Sequence, residues 1–186
     1  RTGGVRMIYK ANKNQVSYGE AIGILMLDTD TPFIPGDVGN ATTYDFPVRY
    51  KTVEGLTVER MLKRDPDALK LLIKAGKELE QEGVRAVTMD CGISALFQDE
   101  VANQLDVPVF LSSLLQAPFI SKMLADDEKI GLVVVNSDTF NNELLKAAGI
   151  EDIPLKIKGV EDRKEFYQAA IEEVGRLDAD KIKSEV

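Results

Sequence analysis

The residue with the widest chemical reach in this sequence is Cys91, the one cysteine among 186 residues. It follows the apolar run 84–89 and Asp90, and it precedes Gly92, beyond which Leu96, Val101, Ala102 and Leu105 recur at helical spacing. A strand-length run passing into an amphipathic segment predicts a strand-to-helix turn, which is where open α/β sheets hold their ligands. The first N–H groups of a helix have no internal partner and carry the positive end of its dipole, so a thiol held there is expected to ionise below its ordinary value of about 8.5. Gly92 suits a turn in which backbone comes close to a ligand. Asp90 opposes the thiolate, and strand alternation is expected to turn it to the other face. The plainer reading of a lone cysteine is a small buried hydrophobe, and this segment by itself leaves both readings open.

The chain contains no histidine. That excludes Ser-His-Asp and Cys-His catalysis, histidine-ligated zinc and the histidine-containing deaminase signature. Acid and base work falls to Cys, Asp, Glu, Lys or Tyr. A net charge of −8 argues against nucleic acid and anionic membranes as partners and favours small molecules. The hydrophobic share of 44% is ample for a core. No apolar run nears the about 20 residues of a membrane span, no signal-like start is visible, and one cysteine forms no internal disulfide, so a cytoplasmic location is the expectation.

The elements that must position Cys91 alternate between strand and helix. Residues 1–19 read as a polar arm; the chain starts at Arg1, and part of the stretch ahead of Met7 is expected to be foreign to the natural sequence. A continuous apolar run, 21–27, predicts a buried parallel strand ending at Asp28. A long loop, 30–46, holds Pro32, Pro35, Gly36, Gly39 and Asn40, and loops of that length are commonly functional or disordered. A short strand is predicted at 47–51. Asp65 and Pro66 then open a helix that stops at Gly83. Further strands are predicted at 84–89, 107–111, 130–135 and 155–157, with helices after Cys91, after Ser113 (spaced from Gln116 as a capping box), over 139–148, over 161–174 and from 179 onward. The sequence stops at Val186 inside a predicted helix.

Such alternation predicts a parallel sheet covered on both faces. Asp28, Cys91, Ser112, Ser113, Asn136 and Ser137 all fall at predicted strand ends and can therefore meet on one rim. Taken singly, each Ser, Asn or Asp there also reads as a helix cap.

Four ordered segments resemble one known family. They are 21–28, the loop Ile34-Pro35-Gly36-Asp37-Val38-Gly39-Asn40-Ala41-Thr42, the Asp90-Cys91-Gly92 turn with Leu96 to Glu100, and the stretch from Pro108 to Gln116. Together they are similar to the aspartate/glutamate racemase superfamily, in its less characterised branch. The resemblance implies two pseudo-symmetric, flavodoxin-like α/β lobes, a small carboxylate or amino acid bound between them, and no metal or organic cofactor. It also implies a thiol from each lobe exchanging a proton at the α-carbon. Cys91 would be the acid/base of the first lobe, with Asp28 beside it setting its protonation or binding the substrate ammonium. Gly92 and Ile93 stand where amino-acid racemases often carry Asn and Thr, and their N–H groups would cradle a carboxylate. Ser94, Ser112, Ser113, Asn136, Ser137 and Asn40 complete the expected binding residues.

The expected organisation is an arm over 1–19, a first lobe over 20–115 carrying Cys91, and a second lobe over 116–186 cut short before a second cysteine. The expected activity is that of a cofactor-independent racemase or epimerase, with a homodimer as an open assembly. Should the chain be whole, a one-cysteine lyase or decarboxylase is the better enzyme reading. A non-catalytic module closing around a small anion is the alternative of another class.

Overall fold

In the computed structural model, residues 7–186 are described. The expectation concerning residues ahead of Met7 lies outside them. Residues 7–19 form no helix or strand. Four parallel strands, β1 (Ile22–Met26), β2 (Val48–Thr52), β3 (Ala86–Met89) and β4 (Val109–Phe110), pair in the order β2-β1-β3-β4. A second parallel pair joins β5 (Ile130–Val134) to β6 (Leu155–Gly159). Seven α-helices are found among the described residues: α1 (Val58–Leu62), α2 (Ala68–Gln81), α3 (Gln98–Ala102), α4 (Ala117–Ser121), α5 (Asn142–Ala147), α6 (Lys164–Ala170) and α7 (Ala179–Glu185). The predicted α/β class with parallel sheets is thus what the chain forms. No helix among the described residues is long and apolar enough to cross a membrane.

The apolar run that predicts β1 is buried because the strand is flanked on both sides by β2 and β3. Helix α2 covers the sheet with Ala68, Leu72, Ala75, Gly76 and Leu79, all buried, spaced at three and four residues. Leu72 and Leu79 are fully buried, each worth roughly 2 kcal/mol of transfer free energy. A second cluster of Ala117, Ile130, Leu144, Ala148 and Ile150 packs under β5.

Local chemistry moves several boundaries. Asp65 does not cap α2: its carboxylate accepts the Asp67 N–H at 2.8 Å, tightening the turn so that the helix starts at Ala68. Helix α1, which the sequence reading missed, is short and opens on Thr57, whose hydroxyl accepts the Arg60 N–H. The turn after Cys91 is a 3-10 helix (Gly92–Phe97) that only then becomes α3. Ser113 forms no capping box; Ser112 is the cap, accepting the Leu114 N–H at 3.2 Å. The helix expected over 139–148 breaks in two, because Asn141 accepts the Leu144 N–H and restarts it as α5. Strand β6 runs longer than predicted and α6 starts later and ends sooner.

Sheet order carries the functional consequence. From β1 the chain goes to β2 on one side, and β3 and β4 lie on the other, so the crevice between the carboxyl ends of β1 and β3 is a topological switch point. Register pairs Leu25 with Met89, which sets Leu27 beside Asp90 and Cys91.

Candidate active site: a cleft at the switch point

A cavity at that crevice has a volume of about 470 Å³, within the range of small-molecule sites. Its walls come from the ends of β1 and β3, the loop after β1, strand β5, and the segment from α6 to α7. Cys91 lines it, half-buried, with one side against the main core.

Three strand-end turns are built alike. Ser112 and Asn136 stand in extended conformation ahead of 3-10 helices, and each side chain accepts an N–H of the turn that follows. Cys91 is extended in the same way, but its side chain makes no cap hydrogen bond. No cap bond therefore ties the thiol down, and Cys91 is among the residues that line the cavity.

Its ionisation runs opposite to the sequence expectation. Burial and, next, the neighbouring Asp90 carboxylate push the Cys91 thiol up to about 12, while the Ile93 and Ser94 N–H groups turned toward the sulfur offset this only in part. Two dipoles of a short 3-10 turn are a weaker influence than loss of water around the thiolate. The Ile93 and Ser94 amides thus favour the ionised sulfur of Cys91.

Asp90 is the second polar group of the cleft. Both of its carboxylate oxygens accept the Leu27 N–H, at 3.0 and 3.2 Å, which ties the ends of β1 and β3 together. Burial raises its pKa to about 7, with Asp37 adding to the rise and the Leu27 N–H opposing it. Alternation does not carry Asp90 away from the site, because it lies one residue past the strand, where the period of two has ended.

The remaining expected residues divide. Gly92, Ile93, Ser113 and Asn136 line the cavity beside Cys91. Ser94 is fully buried and donates to the Leu111 carbonyl at 2.7 Å and to the Cys91 carbonyl. Ser112 donates to the Gly92 carbonyl at 2.8 Å, so both serines brace the Cys91 turn from behind. Asp28 is exposed, outside the lining, and accepts the Gly55 N–H at 2.8 Å. Asn40 caps the 3-10 turn Ala41–Thr43 and donates to the Phe33 carbonyl at 2.8 Å, holding the long loop rather than facing the cavity. Ser137 donates to Glu161, also outside the lining.

Sequence reading missed Asp37, Thr29 and Thr31, all of which line the cleft. Thr29 donates to Glu173 at 2.7 Å and Thr31 to the Ala169 carbonyl at 3.3 Å, joining the loop after β1 to the end of α6 and the turn beyond it. Gly39 is required where it stands: a Cβ there would lie 2.5 Å from the Phe33 ring and 2.7 Å from the Met26 methyl. The length of the loop was the available signal for all of them. Among the described residues no group of three or more His, Cys, Asp or Glu side chains is assembled to hold a metal ion.

By sequence the chain is similar to proteins named as dimethylsulfoniopropionate lyases. Dimethylsulfoniopropionate lyase 7 of Emiliania huxleyi is 32% identical over 169 residues, 87% of this chain and 49% of that protein. Lyase 6 of the same organism is 34% identical over 87% of this chain and 44% of its own length. The lyase of Durusdinium sp. clade D is 31% identical over 70% of this chain and 46% of its own. The chain spans about half the length of the curated relatives it matches. No family model matches it. Among solved structures, a mutant of arylmalonate decarboxylase in its sulfate-associated form shares the fold, with a TM-score of 0.50, 13% identity, and coverage of 88% of this chain and 82% of that one. An aspartate racemase homologue from Pyrococcus horikoshii aligns with a TM-score of 0.45 at 15% identity, over 80% of this chain and 69% of its own.

Proposed function

We propose that the protein is a lyase that removes the proton next to the carboxylate of a sulfonium-bearing propanoate, with Cys91 as the base. The observation that carries this is the uncommitted Cys91 sulfur on the wall of a cleft at the switch point of the sheet. Its likeness to dimethylsulfoniopropionate lyases supplies the substrate class.

The step balances without a further reagent. The Cys91 thiolate takes the proton from the carbon beside the carboxylate; the C–H electron pair becomes a carbon–carbon double bond; the carbon–sulfur bond breaks and its pair leaves on dimethyl sulfide. Acrylate remains, and the Cys91 proton returns to solvent. Near neutrality Cys91 is a thiol, since its pKa stands at about 12. A sulfonium arriving in a water-poor cleft is the opposite charge that favours the thiolate, so substrate itself supplies much of the activation. Asp90, titrating at about 7, adds a partial negative charge to that side of the cleft near neutrality.

The same proton removal without a leaving group, followed by return to the opposite face, is the racemase reading implied by the four resembling segments. Heavy water separates the two. Incubated with dimethylsulfoniopropionate, the protein is expected to release dimethyl sulfide, detected in the headspace, with loss of at least about 10²-fold in Cys91→Ala. α-Deuterium appearing in an amino acid with no dimethyl sulfide from any onium propanoate would favour the isomerase, and neither signal would sink both.

A further inference from the structure

The cleft has an unusual charge pattern for a site that accepts a carboxylate. Among the described residues its lining holds two carboxylates, Asp37 and Asp90, and neither lysine nor arginine; most of the remaining wall is apolar, with Leu27, Phe33, Ile34 and Phe140 among it. A dianion would meet only repulsion there. A ligand of zero net charge whose cation carries methyl groups finds both an opposite charge and a hydrocarbon wall.

Of the two carboxylates, Asp90 is committed through both oxygens to the Leu27 N–H. Asp37 is committed through one, which accepts the Gly39 N–H at 3.1 Å. Its backbone is fixed as well: the Asp37 N–H donates to the Ile34 carbonyl at 3.0 Å, and its carbonyl accepts the Thr43 hydroxyl at 2.6 Å. Tyr44 and Tyr50 hold the next carbonyl, that of Val38, at 3.1 and 3.0 Å. Asp37 is thus held on a braced turn, exposed to solvent and among the residues that line the cleft, with its second oxygen free of any hydrogen bond among the described residues.

We infer that Asp37 is the specificity residue of this cleft, its carboxylate holding the onium head of a zwitterionic monocarboxylate so that such ligands are chosen over monocarboxylates of the same shape that lack the cation. The inference rests on the lyase reading for the substrate class, and it assigns to Asp37 binding rather than chemistry. Asn at this position keeps an acceptor for Gly39 while removing the charge.

The test compares two probes of one shape, 3-(trimethylammonio)propanoate and its carbon isostere 4,4-dimethylpentanoate, as ligands of the protein by calorimetry. The native protein is expected to prefer the onium by at least tenfold. Asp37→Asn should bring that preference close to unity and raise KM for dimethylsulfoniopropionate about tenfold with kcat within threefold, and Asp37→Glu should restore part of both. Asp37→Ser, which also retains a hydroxyl for Gly39, serves if the Asn variant melts early. A native preference near unity, or one unchanged in both variants, overturns the inference even if dimethyl sulfide is released. An Asp37-dependent preference without dimethyl sulfide release upholds the inference and removes the lyase reading instead.

Discussion

After β3, Cys91 holds φ −119° and ψ 118° and opens a 3-10 turn; after β5, Asn136 holds φ −146° and ψ 118° and opens another. The backbone is nearly the same, and both residues line the cleft. Asn136 spends its side-chain oxygen on the Asp138 N–H at 2.8 Å, whereas Cys91 caps nothing. The surroundings differ too. Cys91 stands beside a half-buried carboxylate and is braced by Ser94 and Ser112 from behind. A strand-end turn thus offers a place for chemistry, and it becomes reactive only where the side chain escapes the capping role that the turn invites.

Exchanging or removing single groups tests that contrast. The largest effect is expected from Cys91→Ala, which should cost at least about 10²-fold in dimethyl sulfide release, against less than threefold for Asn136→Ala in the same assay. Next comes Asp90→Asn, which keeps an acceptor for Leu27 and removes the charge next to the thiol. Alkylation of native Cys91 by iodoacetamide should be slow at pH 7 and climb about tenfold per pH unit toward pH 10, because the thiol titrates at about 12. The variant should react faster than the native protein above pH 7, where the Asp90 charge that opposes the thiolate is present in the native protein and absent from the variant. A native Cys91 that alkylates faster than free cysteine would break the contrast outright.

Asp90 also links stability to pH. Its carboxyl binds a proton more tightly in the folded protein, at about 7, than an unperturbed aspartate does, at 3.8. The stability it contributes is full below about pH 4 and is lost as pH rises through 7. Urea titrations at pH 4.5 and 8 should differ by on the order of 2 kcal/mol, discounted for the solvent-facing side of the group, and Asp90→Asn should flatten that difference. Ser112→Ala, which leaves the Gly92 carbonyl without its donor, should cost about 1–2 kcal/mol in denaturant unfolding. Asn136→Ala should cost about 1 kcal/mol as a lost cap, and leave Cys91 alkylation unchanged.

How much of this was legible before the coordinates depends on distance along the chain. The Cys91 turn announces itself locally, through an apolar run, a glycine and a new periodicity, and Asn136 and Ser112 carry the ordinary signature of caps. Helix α2 was readable from Leu72, Ala75 and Leu79 alone, though Asp65 drew its start two residues too early. The state of the thiol was not legible, because the burial that raises it comes from core side chains far away in sequence. Strand position pointed to Asp28, while the register of β1 against β3 is what sends the Asp90 carboxylate across to Leu27. Asp37 was hidden for a similar reason: the turn that presents it depends on Thr43, Tyr44 and Tyr50 closing back upon it.

Thr29 and Thr31 reach from the rim of the first sheet to Glu173 and the Ala169 carbonyl. Mechanically they are one clasp, since the two hydroxyls also hydrogen-bond each other at 2.9 Å, and each bond is worth about 1 kcal/mol. Removing either hydroxyl should therefore slacken the hold of the loop after β1 on the end of α6, read as faster hydrogen exchange of the Thr31 amide.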